Sequence, residues 1–114
     1  MVDQERIAFL TEKAKTLRCL SLEMIGNAGT GHPGGALSAA EVVSVLFFEL
    51  MRVDPQNPHW EDRDRFILSK GHGTAVLYAA LCERGYWPRE TLKLFRQTGG
   101  ILQGHPDMKK IPGV

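Results

Sequence analysis

Three of the four histidines in this chain directly follow a glycine: Gly31-His32, Gly71-His72 and Gly104-His105. The imidazole is the side chain that gives and takes protons near neutral pH, so three of them presented alike suggest proton transfer or directed hydrogen bonding. A glycine next to each ring lets the backbone approach a ligand closely or adopt a positive φ while the ring points into a cleft. His32 and His105 are also followed by proline, which restricts the backbone that presents them. The alternative is that Gly-His and His-Pro are ordinary loop dipeptides. The element S-K-G-H-G-T, residues 69–74, stands between a short apolar run and a helix-like stretch. Glycine-rich backbone there leaves N–H groups free at the positive end of a helix dipole, a setting that binds phosphate. Lys70 would add charge and His72 a directed donor, whereas a purely structural strand-to-helix connection is the competing reading. Thr74 is read as a helix cap. Zinc ligation by His32, His72 and His105 is disfavoured, because they lie on separate loops with no closely spaced ligand pair. His59, beside Trp60, is assigned to surface or packing, and the alternating Asp62, Arg63, Asp64 and Arg65 to a solvated face.

The elements that must position these residues follow from apolar spacing. Ile7, Leu10, Ala14, Leu17 and Met24 form one face of an amphipathic helix predicted from Glu5 to Ile25, ended by Gly26 and Gly29. Five of the twelve glycines then fall between Gly26 and Gly35, a dense loop around His32. Ser38 and Glu41 make a capping box that opens a helix to about Met51, apolar on nearly all faces and expected to be buried on several sides. D-P-Q-N-P at residues 54–58 is a turn, and R-F-I-L-S at residues 65–69 reads as the one clear strand. A helix is predicted from Thr74 to Arg84 with Gly85 as its stop, and another from Pro88 to about Gln97 with Leu92 and Phe95 inward. Gly99 and Gly100 break it, and the tail from Ile101 is loop-like. One strand cannot form a sheet. The fold class expected is therefore α/β, mostly helical with one strand, and residues 1–114 form an incomplete domain or one completed by another chain.

Composition bounds the function. The chain has 114 residues, 43% apolar and 24% charged, an ordinary balance for one globular domain. Its net charge of +1 is too nearly neutral for a dedicated nucleic-acid binder. Residues up to Asn57 carry −2 and the rest +3, a tilt that favours a small anion in the second half. Cys19 and Cys82 are expected to be two buried, reduced thiols. The N-terminus lacks a signal-peptide pattern. The longest apolar tract, Val42 to Phe48, falls far short of the ~20 residues a membrane span needs. A cytoplasmic protein without membrane or nucleic-acid partners is expected.

G-T-G-H-P-G-G-A-L-S, M-R-V-D-P-Q-N-P, D-R-D-R-F-I-L-S-K-G-H-G and L-Q-G-H-P-D-M, in this order, resemble transketolase. The nearest form is the N-terminal, thiamine-diphosphate-binding subunit of split transketolases, and the resemblance covers about Leu17 to Val114. A deoxyxylulose-phosphate synthase is the nearest competitor, but the pair G-H-P-G-G and Q-G-H-P-D favours transketolase. The resemblance implies transfer of a two-carbon ketol unit from a ketose phosphate to an aldose phosphate.

By the same resemblance, His72 contacts the cofactor diphosphate, together with Gly71 and Gly73. His32 is similar to the histidine that hydrogen-bonds the substrate carbonyl or intermediate oxygen, and His105 to the one that holds the donor ketose near its terminal hydroxyl. These two are the catalytic and substrate-binding candidates. The family's divalent metal, magnesium or calcium, is held through G-D-G followed by Asn, a motif this chain does not contain. No metal ligand is therefore assigned here. The chain is expected to stop short of that motif, to be inactive alone, and to work with a C-terminal transketolase subunit and further copies of itself. The competing reading is a non-catalytic interaction module or fragment, whose apolar helices at Val42–Leu50 and Ala75–Cys82 dock on a partner subunit.

Overall fold

A computed structural model describes residues 3–114. Helix α1 spans Gln4–Ala28. Asp3 caps it, its carboxylate accepting the Arg6 N–H at 2.8 Å, and Gly29 ends it in the left-handed region at φ 70°. Gly26, expected to end the helix, lies inside it. The cost of a helical glycine, about 1 kcal/mol, is outweighed by the packing of Leu17, Leu20 and Met24 on the core. Ile7, expected on the buried face, is exposed.

Helix α2 spans Pro33–Ser38 and α3 spans Ala40–Val45, continuing as a π-turn over Leu46–Leu50. The expected Ser38 capping box does not form, because Ser38 closes α2 and Ala39 occupies the cap position of α3 without a side-chain bond. Ser38 Oγ instead accepts from Lys70 Nζ at 2.7 Å, and Glu41 pairs with Arg18. The widened π-turn has its Met51 N–H donating to the Leu46 carbonyl at 2.8 Å. Its carbonyls are satisfied from outside: Arg84 Nε donates to Phe47 O at 3.0 Å and Arg6 donates to Phe48 O. α3 and the π-turn are less enclosed than their sequence suggests, with Val42 61% and Leu50 63% exposed.

Helix α4 spans Thr74–Arg84, with Gly85 at φ 109° as its stop, as predicted. Every residue from Thr74 to Cys82 is buried, so α4 is the axis of the core, contacted by α1, α2, α3 and the following turn. Its apolar face is consumed within this chain and is not a docking surface. The predicted helix after Pro88 is a 3-10 turn over Arg89–Leu94, with Leu92 and Phe95 buried as expected. The tail is irregular but anchored by buried Leu102 and Ile111. Cys82 is buried, whereas Cys19 is exposed on α1, contrary to expectation.

The fold is mostly helical, and no strand forms among the described residues. The predicted strand at residues 65–69 has no backbone partner of its own. A strand satisfies its N–H and C=O groups only through a neighbour, and the pairing found here lies just before the run: Asp64 N–H donates to Arg52 O at 2.9 Å, and the Arg52 N–H to the Asp64 carboxylate at 2.7 Å. No helix among the described residues is long and apolar enough to cross a membrane.

Candidate functional site

His32, His72 and His105 come from three segments far apart in sequence and meet at one place. The rings of His32 and His72 have centroids 4.5 Å apart, and those of His72 and His105 4.7 Å apart in an edge-to-face arrangement. His72 is the middle member. All three are exposed toward an open cavity of about 690 Å³, lined also by Arg96, Gln103, Asp107 and Lys110. His59 is not among the lining residues.

Local structure explains the meeting. His32 stands at the N-cap position of α2, where Pro33 supplies a preset helical φ. His72 sits in the 3-10 turn Gly71–Gly73 that leads into α4. These two elements touch backbone to backbone: a Cβ on Gly73 would lie 3.2 Å from the Gly35 carbonyl oxygen. The Lys70–Ser38 hydrogen bond ties the end of α2 to the residue before the turn. His105 is held by the loop from Arg96 onward, fastened where the Arg96 N–H donates to Leu102 O at 2.8 Å and Tyr78 Oη donates to Gln103 O at 2.6 Å.

Two details of the expected anion site change. Lys70 directs its ammonium to Ser38 rather than standing free, and the Gly73 N–H already donates to the Lys70 carbonyl at 2.9 Å. Thr74 is the first helical residue, with Gly73 in the cap position, and its hydroxyl is buried without a hydrogen-bond partner. The turn still lies at the N-terminus of an eleven-residue helix, where the dipole favours an anion. Among the described residues, no group of three His, Cys, Asp or Glu side chains is arranged to hold a metal ion.

The profile of one family, described as transketolase, thiamine diphosphate binding domain, matches residues 10–114. The chain belongs to the transketolase family. It is 49% identical over 105 residues to the 6-deoxy-6-sulfo-D-fructose transketolase subunit SqwG of a Clostridium species, covering 92% of this chain and 38% of that subunit. It is 42% identical to transketolase 1 of Escherichia coli, covering 90% of this chain and 16% of that enzyme. Among solved structures, transketolase from Leishmania mexicana superposes with a TM-score of 0.88 at 40% identity, over 92% of this chain and 16% of that one. Transketolase from Campylobacter jejuni covers 100% of this chain and 17% of its own length, with a TM-score of 0.84. The chain thus spans well under half the length of these relatives.

Sequence reasoning missed Arg96, Asp107 and Lys110 as lining residues. Arg96 carried one signal that only coordinates reveal: it is the sole non-glycine residue with positive φ among those described, at 56°. Such a conformation costs of order 1–3 kcal/mol and is held here by the Leu102 contact. Its guanidinium lies over Gly104, where a Cβ would come within 2.8 Å of Nη1.

Proposed function

We propose that this chain is a component of a transketolase, contributing the diphosphate-facing and donor-sugar-facing histidines of a site that transfers a two-carbon ketol unit between sugar phosphates. The observation that carries this reading is the convergence of His32, His72 and His105 on one cavity, with ring centroids 4.5 and 4.7 Å apart. Thiamine diphosphate, when bound, supplies the electron sink for breaking and forming the carbon–carbon bond next to a carbonyl. The residues present fit its diphosphate end. The turn Gly71–Gly73 is bare of side chains apart from His72, and α4 begins directly behind it.

In this reading His72 donates to a diphosphate oxygen, with the Gly71 and Gly73 backbone close against the group. His32 faces the substrate carbonyl oxygen, where a directed donor stabilises the negative charge that develops there. His105 holds the donor sugar near its terminal hydroxyl, which fixes the reacting end against the other two rings. In this reading the divalent metal is held by residues other than these 114. A C-terminal transketolase subunit and a second copy are the proposed partners. A cytoplasmic location belongs to the same reading.

The test combines this chain with the complementary remainder of a transketolase, thiamine diphosphate and magnesium, and follows ketol transfer from a ketose phosphate. H32A and H105A should each lower turnover by about 10²–10⁴-fold, the range for a positioned acid–base group. A second reading, a non-catalytic docking module, draws on the exposure of Val42 and Leu50. It predicts that both alanine variants leave the assembly's turnover intact, and that result would overturn the catalytic assignment.

A further inference from the structure

Each of the three histidines has a glycine before it, and the three glycines do different jobs. Gly31 alone has a positive φ, 145°. Gly104 makes room for the Arg96 guanidinium. Gly71 makes room for a member of the cluster itself: a Cβ built on it would lie 2.7 Å from His105 Nδ1, 3.2 Å from Cε1 and 3.5 Å from Cγ. We propose that Gly71 is a positioning residue, and that the volume vacated by its missing side chain is what lets the His105 ring close on His72. The proposal deepens the histidine site described above and rests on that site being the working one.

The argument needs both sides of the contact to be braced. The turn is braced from behind, because Gly73 packs on the Gly35 carbonyl and Lys70 Nζ donates to Ser38 Oγ at the end of α2. The His105 loop cannot lift easily, because Leu102 is buried and both Leu102 O and Gln103 O accept hydrogen bonds from Arg96 and Tyr78. A methyl group at position 71 is then accommodated by turning the His105 imidazole away from His72. Backbone conformation does not enter, since Gly71 lies outside the positive-φ region and an alanine there is unstrained apart from this contact. Gly26 serves as the control: it also lacks a positive φ, and a Cβ on it meets nothing within 4 Å.

The experiment uses the isotope-labelled full chain and reads the imidazole resonances and the inter-ring cross-peaks by NMR. In G71A the His72–His105 cross-peak should be lost and both rings' resonances should move, with the His32–His72 cross-peak and the circular dichroism retained; G26A should leave all rings as in the parent. A folded G71A with an unchanged His72–His105 cross-peak overturns the proposal. The second measurement is a cycle with H105A, which removes the obstructing ring. G71A should lower the urea midpoint in the parent background but leave it unchanged or raised in the H105A background, where an unobstructed alanine only restricts the unfolded chain, and an equal loss in both overturns the proposal. If G71A alone does not fold, recovery of folding in the double variant supports the proposal and a double variant that is equally unfolded overturns it. None of these readouts involves turnover, so failure of the ketol-transfer assay and failure of this proposal are separate results.

Discussion

Two apolar runs flank the K-G-H-G turn, and they end up in opposite environments. On one side, every residue of α4 from Thr74 to Cys82 is buried. On the other, Phe66 and Leu68 are half-buried and Ile67 is 85% exposed. The second run is held mainly by the Phe66 ring, edge-on to Phe47 at 5.6 Å, and by the Arg52–Asp64 clasp before it. A cavity of about 480 Å³ lies beside it, bounded by Leu77, Met108 and Val114. Composition does not separate the two runs. The difference is that a helix closes its own backbone hydrogen bonds and needs only side-chain packing, whereas a strand needs a neighbouring strand as well. α4 finds packing partners in α1, α2, α3 and the 3-10 turn over Arg89–Leu94, all within this chain.

The sharpest way to break this contrast is to truncate one side chain on each side. Leu81 is fully buried, so L81A should cost about 2–5 kcal/mol, the usual range for a leucine deleted from a packed core. I67A should change stability by no more than about 0.5 kcal/mol, as at other exposed positions. Urea unfolding of the full chain measures both. If I67A proved as costly as L81A, Ile67 would be covered in solution, and the two runs would be equivalent after all.

A smaller effect is expected from charge. Near the end of α4, burial acts to raise the Glu83 carboxyl, but hydrogen bonds and attraction from Arg89 and Lys13 outweigh it and hold the group below its ordinary 4.5. A carboxylate lowered in the folded state stabilises the fold above its unfolded pKa, and that contribution is lost as pH falls through the folded value. Asp64, beside the other run, is held below 3.8, first by the Arg52 backbone N–H and then by its guanidinium. It sits on an exposed segment where such pairs contribute little. Stability followed from about pH 7 down to about pH 3 should therefore decline in the parent chain, and the decline should be shallower in E83Q. D64N should resemble the parent. A D64N chain that flattens the curve more than E83Q would mean that residues 63–68 are part of the cooperative core.

The same contrast explains what could be read in advance. α4 and its stop at Gly85 were legible because periodicity, length and a terminal glycine all belong to one continuous segment. α1 was legible except at its end, where tertiary packing of Met24 overrides the local cost of Gly26. The capping box at Ser38 failed because both of its side chains found distant partners, Lys70 and Arg18, that no local pattern encodes. The strand at residues 65–69 failed because strand character lies in the neighbour. At the site, the three Gly-His pairs suggest close approach to a ligand or a positive φ. Only Gly31 has the latter, while the space beside Gly71 and Gly104 is taken by the His105 and Arg96 side chains, which no local pattern encodes. Arg96 was invisible, since its place over Gly104 is set by the return of the chain from Leu102.

The remaining effect is a gain rather than a loss, and it sets two glycines against each other. Gly26 sits in helical conformation within α1 with nothing within 4 Å of where a Cβ would be, while the same space at Gly71 is taken by His105. G26A should therefore stabilise the chain by about 0.5–1 kcal/mol, by removing backbone freedom from the unfolded state and exposing less of the helix backbone. Thermal melts and urea midpoints check it. A loss of stability instead would mean that the space beside Gly26 is occupied in solution. The natural occupant would be a second chain seated against α1, and the loss would then deepen with protein concentration.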